Sequence, residues 1–592
     1  MITSVIALAT CAVLVPFLAA ALGLLAGRRS PGGPAVVAVT GATGCAVLAV
    51  LVASGAGAGP AEAWVPFTPT GGIPIVLGAR VDALSATVGV MVGVVALAVQ
   101  VYSAGLMRGR PRYASFSALI SLFTAAMLTV VFSADLLIVY VGWEVMGVCS
   151  YLLIGHHWED RPTTAAALKA FLMTRVGDVG LLFGIVVLGL AAGSFRITAV
   201  LDAVPGMSPG PVLAGTLLIT LGVVAKSGQF PLHSWLPDAM AGPAPVSALI
   251  HAATMVAAGV VLVVRLYPAF LAAPVTLAVL GVLAAITMLG AALAALGAED
   301  LKRVLAYSTV SQLGLMFGAL AAGGATAALT HLLAHAAFKA LLFLAAGAVA
   351  VAVGGSQLSR MGGLRRGMPV TFATATVGFA ALAALPPTSG FVSKDGVVDV
   401  MWHGRGPVAT ILLGSALLTT AVTGAYVTRA WLRTFAGPVR EPGVREVPAL
   451  LTGPLVALAV PALGLGVYWV TTGALRVDRA VALTCTGFAL AGVVAGYLGW
   501  RRAPAWSAPR VLATAFGTDD LYERTLVPVV QRLATRVVRA DDGVGAAVRG
   551  TGNAARRLGG ALRLTQTGNP QFYVTGVLAG VLLIAVGVAM LG

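Results

Sequence analysis

The chain has 592 residues, 59% of them hydrophobic and only 10% charged, and its mean hydropathy is +0.96. That leaves too little polar surface to cover a water-soluble body, so a soluble enzyme is excluded and the chain belongs in lipid. A formal net charge of +16 would suggest nucleic acid in a soluble protein. Here the basic residues sit in short loops between apolar runs, where the positive-inside rule accounts for them.

In chain order, apolar runs of roughly 20 residues recur from end to end, each able to cross a hydrocarbon core about 30 Å thick, and about sixteen spans are predicted. They fall near 2–27, 34–56, 82–107, 114–132, 134–155, 166–192, 210–230, 244–266, 271–296, 303–322, 325–353, 370–400, 407–435, 448–471, 479–500 and 571–591. The fold class is all-α and polytopic. The first run has no basic residue ahead of it and is followed by Arg28 and Arg29, the reverse of a cleavable signal peptide, so it is expected to be retained. Cys11, Cys45, Cys149 and Cys485 lie far apart without metal or disulfide spacing and read as inert. Arginines and lysines gather after the third, ninth, eleventh and thirteenth spans, which predicts cytoplasmic odd-to-even loops and both termini on the outer side.

Two spans are interrupted in similar ways. Lys226-Ser-Gly-Gln-Phe-Pro231 breaks the seventh and Pro386-Pro-Thr-Ser-Gly-Phe-Val-Ser-Lys394 the twelfth. A lysine at each of two Gly/Pro breaks, an odd number of spans apart, is the pattern of two inverted repeats with discontinuous helices. Ahead of the last span, residues 521–563 mix Leu and Val with Arg524, Arg532, Arg536, Arg539, Arg549, Arg556, Arg557 and Arg563. They read as a basic amphipathic helix in the interface or along a partner. The competing reading is a linker, because Gly543, Gly545, Gly550, Gly552, Gly559 and Gly560 each weaken a helix.

Charged residues inside the spans form a file. Glu144 lies far from either end of its span, where it must be protonated or face a cation; coupling to Lys226 gives a proton-accepting site, and a fixed ion pair is the structural alternative. Lys226 sits at its helix break and can load and release a proton there, unless it merely snorkels. His251 is a candidate relay. His331, His335 and Lys339 are four residues apart and share one helix face; the two histidines lack the acid or cysteine that would complete a metal site. Lys394 lies just past the second break, with Asp395 as a local counter-charge. Arg175 and Asp178 are three apart and can pair on one face, with Asp178 either a site residue or only a counter-ion. His156, His157, Glu159, Asp160 and Arg161 read as a solvated loop end, with one end of a proton entry route as the alternative.

Four stretches make the resemblance specific: Gly-Trp-Glu144-Val-Met-Gly, Ala-Lys226-Ser-Gly-Gln-Phe-Pro-Leu-His-Ser-Trp-Leu-Pro-Asp-Ala-Met, Pro-Val-Ser-Ala-Leu-Ile-His251-Ala-Ala-Thr-Met-Val and Asp300-Leu-Lys-Arg-Val-Leu-Ala-Tyr-Ser-Thr. The chain resembles the antiporter-like subunits of respiratory complex I, and most of all the bacterial subunit L type, which adds a long lateral helix before its final span. The resemblance covers essentially the whole chain. It implies N-terminal spans at 1–113, inverted five-helix repeats at about 114–266 and 271–435, two further spans at 448–500, a lateral helix at 519–565 and a last span at 571–591. It also implies a proton relay with Glu144 and Lys226 as the input pair, His251 as a connection, His331, His335 and Lys339 as the centre, Lys394 as the terminal lysine and Asp178 as a coupled acid. The chain departs from the family at Ala244, where Thr is common, and at Gly396, where Glu commonly follows Lys-Asp.

The function so implied is a proton-translocating, non-redox subunit of NADH:quinone oxidoreductase in a bacterial cell membrane. No cofactor is expected in this chain, since it carries no nucleotide-binding glycine fingerprint and no cysteine cluster. NADH, FMN, iron-sulfur clusters and quinone are expected in partner subunits, and the lateral helix is expected to contact neighbouring antiporter-like subunits. The alternative is a subunit of a multisubunit sodium/proton antiporter, against which the lateral segment and the end at Gly592 weigh.

Overall fold

The computed structural model describes all residues except 1, 58, 69–71, 476 and 504–507, and only the backbone of Ile2. It divides into two units, 1–516 and 517–592. Among the described residues, fourteen helices are long and apolar enough to cross a membrane. The protein is a polytopic, essentially all-α membrane protein.

The first unit runs α1 (Ile2–Gly27), α2 (Gly33–Gly55), a hairpin of β1 (Ala61–Thr68) and β2 (Ile75–Val81), α3 (Ala83–Met107), α4 (Tyr113–Phe132), α5 (Leu136–Ile154) and α6 (Arg161–Ala192). It continues with α7 (Pro209–Lys226), α8 (Ala244–Ala252), α9 (Ala258–Arg265), α10 (Pro274–Gly297), α11 (Leu301–Ala321) and α12 (Ala325–Val353). After these come α13 (Pro369–Leu382), α14 (Ser389–His403), α15 (Pro407–Phe435), α16 (Ala449–Thr471) and α17 (Arg479–Arg502). Among the fourteen long helices α11 and α12 are the most enclosed, with 94% and 83% of their best apolar windows buried. They form the core against which the charged file packs.

The hairpin was not expected. β1 and β2 pair antiparallel, Ala61 opposite Val81, and ion pairs tie them to the neighbouring loops. Arg196 binds Glu62 at 2.7 Å and Arg265 binds Asp82. The β-branched and aromatic residues Trp64, Val65 and Phe67 carry the strand signal.

The seventh span ends at Lys226 through a left-handed Gly228 (φ 57°), and Gln229 N–H reaches back to Val224 O at 2.8 Å. Such a reversal caps the free carbonyls of a helix end. α13 ends in the same way with Ala384 (φ 57°) and Leu385 N–H on Ala380 O at 3.0 Å.

The eighth span was expected to run unbroken but is divided into α8 and α9, with no helix at 253–257. Thr254 hydroxyl captures Leu249 O, Val256 N–H turns to Ile250 O at 3.3 Å, and Ser227 Oγ donates to Val256 O at 2.8 Å. A threonine bonding its own backbone offers the chain an alternative to the helical ladder. No proline or glycine marks the site.

In the second unit, α18 (Thr518–Thr565) is one helix of 48 residues, about 72 Å long. Asp519 and Asp520 in its first turn and Arg563 in its last complement the helix dipole. Its six glycines do not interrupt it. Asn569 caps α19 (Pro570–Leu591) by accepting from Gln571 N–H at 3.1 Å.

A side chain at Gly390 would collide with the Ala381 carbonyl, whereas one at Gly396 meets nothing within 4 Å. Gly390→Ala should destabilise the chain by about 1–3 kcal/mol through overpacking, with Gly396→Ala neutral. Thermal unfolding of the purified complex checks this, and equal midpoints would refute the close approach.

Candidate functional site

The acid end of the file is built by α5, α6 and α7. Glu144 is ion-paired with Arg175, and Lys226 Nζ lies 3.3 Å from Asp178 Oδ2. The expected pairing of Arg175 with Asp178 is therefore replaced by two pairs across helices. The two side chains leave α6 in different directions, one toward Glu144 and one toward Lys226. Glu144 and Lys226 thus each carry their own counter-charge. Trp143 Nε1 donates to Asp178 Oδ1 at 2.6 Å, and Lys226 Nζ sits 5.2 Å from the Trp143 ring centroid. Gly147, one turn beyond Trp143 on α5, makes room: a Cβ there would stand 3.1 Å from Lys226 Nζ.

The two pairs differ in exposure. Lys226 and Asp178 are sealed at 0% and 1%, while Arg175 and Glu144 stand at 34% and 18%. Two charges taken out of water are tolerable only with good mutual geometry and further hydrogen bonds, which Trp143 supplies to Asp178.

Trp235 links the end of α7 to the next station. Its Nε1 donates to Ala225 O at 3.0 Å, and its ring centroid is 6.5 Å from that of His251. His251 is fully buried on α8, and neither ring nitrogen has a hydrogen-bond partner among the described residues. Lys339 lies within its electrostatic reach.

On α12 the expected ladder is present. His331, His335 and Lys339 are all fully buried, and the two imidazole centroids are 6.5 Å apart. Lys339 donates to Leu305 O at 3.0 Å and to Ser308 Oγ. His331 is held from both sides, Nδ1 on Ser393 Oγ at 3.0 Å and Nε2 on Gln312 Oε1 at 3.2 Å. Ser393 precedes Lys394, whose Nζ donates to Leu382 O at 3.1 Å, the last residue of α13. α12 and α14 thus pack together, which the sequence alone left open.

Reasoning from sequence missed several participants. Arg175 was weighed only as a partner of Asp178. Lys302 was read as a loop charge, yet it is buried and donates to Met240 O and Gly242 O, both at 2.7 Å, holding the turn ahead of α8. Asp395, Asp399 and His403 follow the same four-residue spacing as the α12 ladder, a signal that was there to be read. Asp395 is buried with Oδ1 unpartnered among the described residues. Asp399 is 38% exposed and pairs with His403, 65% exposed, at 3.2 Å.

The loop end is organised rather than loose. Arg112 binds Glu159 and donates to His156 O at 3.3 Å. Among the described residues, no group of three or more His, Cys, Asp or Glu side chains is placed to hold a metal ion.

Fold and site together define a many-span helical membrane protein with ionisable side chains threaded through its core, a transporter of small ions. Residues 133–419 match the family described as NADH:quinone oxidoreductase/Mrp antiporter transmembrane, and residues 64–117 the complex I chain 5 N-terminus. NADH-quinone oxidoreductase subunit L of Mycobacterium tuberculosis is 36% identical, across 97% of this chain and 96% of that one. A chain of the Mrp complex from Dietzia superposes with a TM-score of 0.71 at 28% identity, covering 98% of this chain but spanning only 63% of that one. A chain of Thermus thermophilus complex I shares the fold, with a TM-score of 0.69 at 24% identity over 82% of this chain and 99% of that one. The chain belongs to the NADH-quinone oxidoreductase subunit L and Mrp antiporter family of proton-conducting membrane transporters.

If Asp178 and Lys226 stabilise each other, Asp178→Asn should destabilise the complex by about 3–5 kcal/mol, because it leaves a buried charge alone. Adding Lys226→Gln should recover part of that loss. The four thermal midpoints of the cycle test this, and additive losses would reject the pairing.

Proposed function

We propose that the chain is the proton-translocating, non-redox membrane subunit of an NADH:quinone oxidoreductase, and that electrons move in its partner subunits, which hold NADH, FMN, iron-sulfur clusters and quinone. The observation that carries this reading is the series of ionisable groups from Glu144 to His403, buried from Asp178 and Lys226 through His251, His331, His335 and Lys339 to Lys394 and Asp395, on helices that all belong to one unit.

In this reading Glu144 accepts a proton beside Arg175, and the change in charge is felt by the neighbouring pair of Asp178 and Lys226. A proton released from Lys226 passes by way of His251, whose free ring nitrogens call for bridging water, to Lys339, His335 and His331. Lys394 takes it next, and Asp395, Asp399 and His403 lead it to the surface. The repeats are 114–266 and 271–435, supported by the matching reversals after Lys226 and Leu382. Sixteen crossings result when the fourteen long helices are joined by the two passages built from α8 with α9 and α13 with α14. Helix α18 lies laterally against neighbouring antiporter-like subunits, and both termini face the outer side of a bacterial cell membrane.

A second reading, a subunit of a multisubunit sodium/proton antiporter, is favoured by the 28% likeness to the Mrp chain over 98% of this one. The 36% identity to subunit L over nearly the full length of both chains favours the first.

Glu144→Ala and Lys394→Ala should each abolish proton pumping by vesicles that still contain the assembled complex, followed with a pH-sensitive dye. Normal pumping in both variants would sink the relay. Mass spectrometry of the purified native complex separates the two readings: flavin and iron-sulfur subunits select the oxidoreductase, and small membrane subunits alone select the antiporter.

A further inference from the structure

A trough of about 690 Å³ opens among α1, α4, α5 and the start of α6, with no residue of the charged file in its lining. Its walls are apolar, with Phe17 and Leu24 on α1, Leu119 and Leu122 on α4, and Leu152 on α5. Ala21 and Ala118 give it depth. From Leu24 to Phe17 the wall runs about 10 Å along the helix axis, within the span of α1.

Only one end of the trough is polar. There Arg112 and Trp158 form the rim, with the Arg112 guanidinium 5.6 Å from the Trp158 ring centroid. Arg112 adopts a left-handed backbone (φ 64°) at the start of α4. The loops that converge on this end bring further arginines. Arg28 and Arg29 follow α1, and Arg108 and Arg110 precede Arg112. A Cβ on Gly32 would stand 2.9 Å from Arg108 Nη2, so these two loops touch. Arg161 opens α6, and Glu159 and Asp160 are the only acids in these segments.

The trough is thus apolar along its length and strongly basic at its head. We propose that it binds one anionic glycerophospholipid, with an acyl chain along α1 and α4 and its phosphate at the Arg112 end. Selectivity must come from the head and the shape, because moving an acyl chain from bilayer to protein gains little apolar burial. Arginines near a membrane surface favour anionic over zwitterionic headgroups. Glu159 pairs with Arg112, but six arginines against two acids in these segments leave a net positive head that a purely apolar occupant such as an isoprenoid tail would not match. This site is independent of the proton relay and does not rest on it.

The test uses the intact membrane complex reconstituted in phosphatidylcholine vesicles with a trace of phosphatidylglycerol bearing a photoactivatable acyl chain. Crosslinks should fall on peptides containing Leu119, Leu122 or Phe17, and excess unlabelled phosphatidylglycerol should suppress them. Equal amounts of phosphatidylcholine or of a long-chain quinone should not. Ala118→Trp, which fills the trough, should remove the crosslink; Ala21→Phe on the facing wall serves if that variant fails to assemble. Arg112→Gln should lower the preference for phosphatidylglycerol roughly fivefold, as expected for one arginine at an anionic surface. Suppression by phosphatidylcholine or quinone, crosslinks unchanged in the filled variants, or labelling of a partner subunit seated in the trough would each overturn the proposal.

Discussion

A helix that stops inside hydrocarbon leaves carbonyls and N–H groups that no solvent can satisfy, and the protein has to supply their partners from side chains. Around the end of α7, Trp235 Nε1 serves Ala225 O and Gln229 Nε2 serves Ser227 O and Val310 O. Phe230 N–H is taken by Thr287 Oγ1 at 3.0 Å, and Ser227 Oγ serves the break between α8 and α9. The lysines belong to the same system. Lys302 binds the carbonyls ahead of α8 and Lys394 that of Leu382 at the end of α13, while Lys339 donates to Leu305 O inside the unbroken α11. Breaking the helices and burying the amines solve one problem together, because each supplies what the other lacks.

That arrangement separates the lysines into two kinds. Lys226 faces a carboxylate and is held as an ion pair, so losing its proton also discards an attraction to Asp178. Lys339 and Lys394 face carbonyl and hydroxyl oxygens, to which a neutral amine still donates. Both protonation states of these two lysines therefore keep hydrogen bonds in place. The partly exposed Glu144 and Arg175 form a third kind of station, where one charge pair still meets its surroundings at 18% and 34% exposure.

Much of this was legible in the sequence wherever the information is periodic along one helix. Apolar run length located the long helices, and the four-residue spacing of His331, His335 and Lys339 placed them on one face. Partners across helices were not legible, because spacing says which face a residue occupies and nothing about which helix lies opposite. That is why Arg175 was matched with Asp178 on its own helix instead of with Glu144. The break after His251 escaped because a threonine and a serine from another segment make it, where a reader looks for proline or glycine. Lys302 was hidden by the habit of reading any loop lysine as a topology signal. In α18 the helix reading holds over the linker, because the glycines lower helix propensity without overriding a long amphipathic repeat with matched end charges.

The contact between α12 and α14 couples a histidine on one helix to a serine hydroxyl on the other. In the orientation that sets Gln312 Oε1 3.2 Å from His331 Nε2, a neutral imidazole carries its proton on that nitrogen and leaves Nδ1 to accept. Ser393 Oγ–H fills that role at 3.0 Å and has a second acceptor in Gly390 O at 3.5 Å. When Nδ1 becomes protonated it must donate, and the serine hydroxyl has to turn its hydrogen toward Gly390. The same oxygen then presents a lone pair to the histidine, one residue before Lys394. A change of charge on His331 would thus be met by a turn of the Ser393 hydroxyl, with Gln312 holding the ring's other nitrogen.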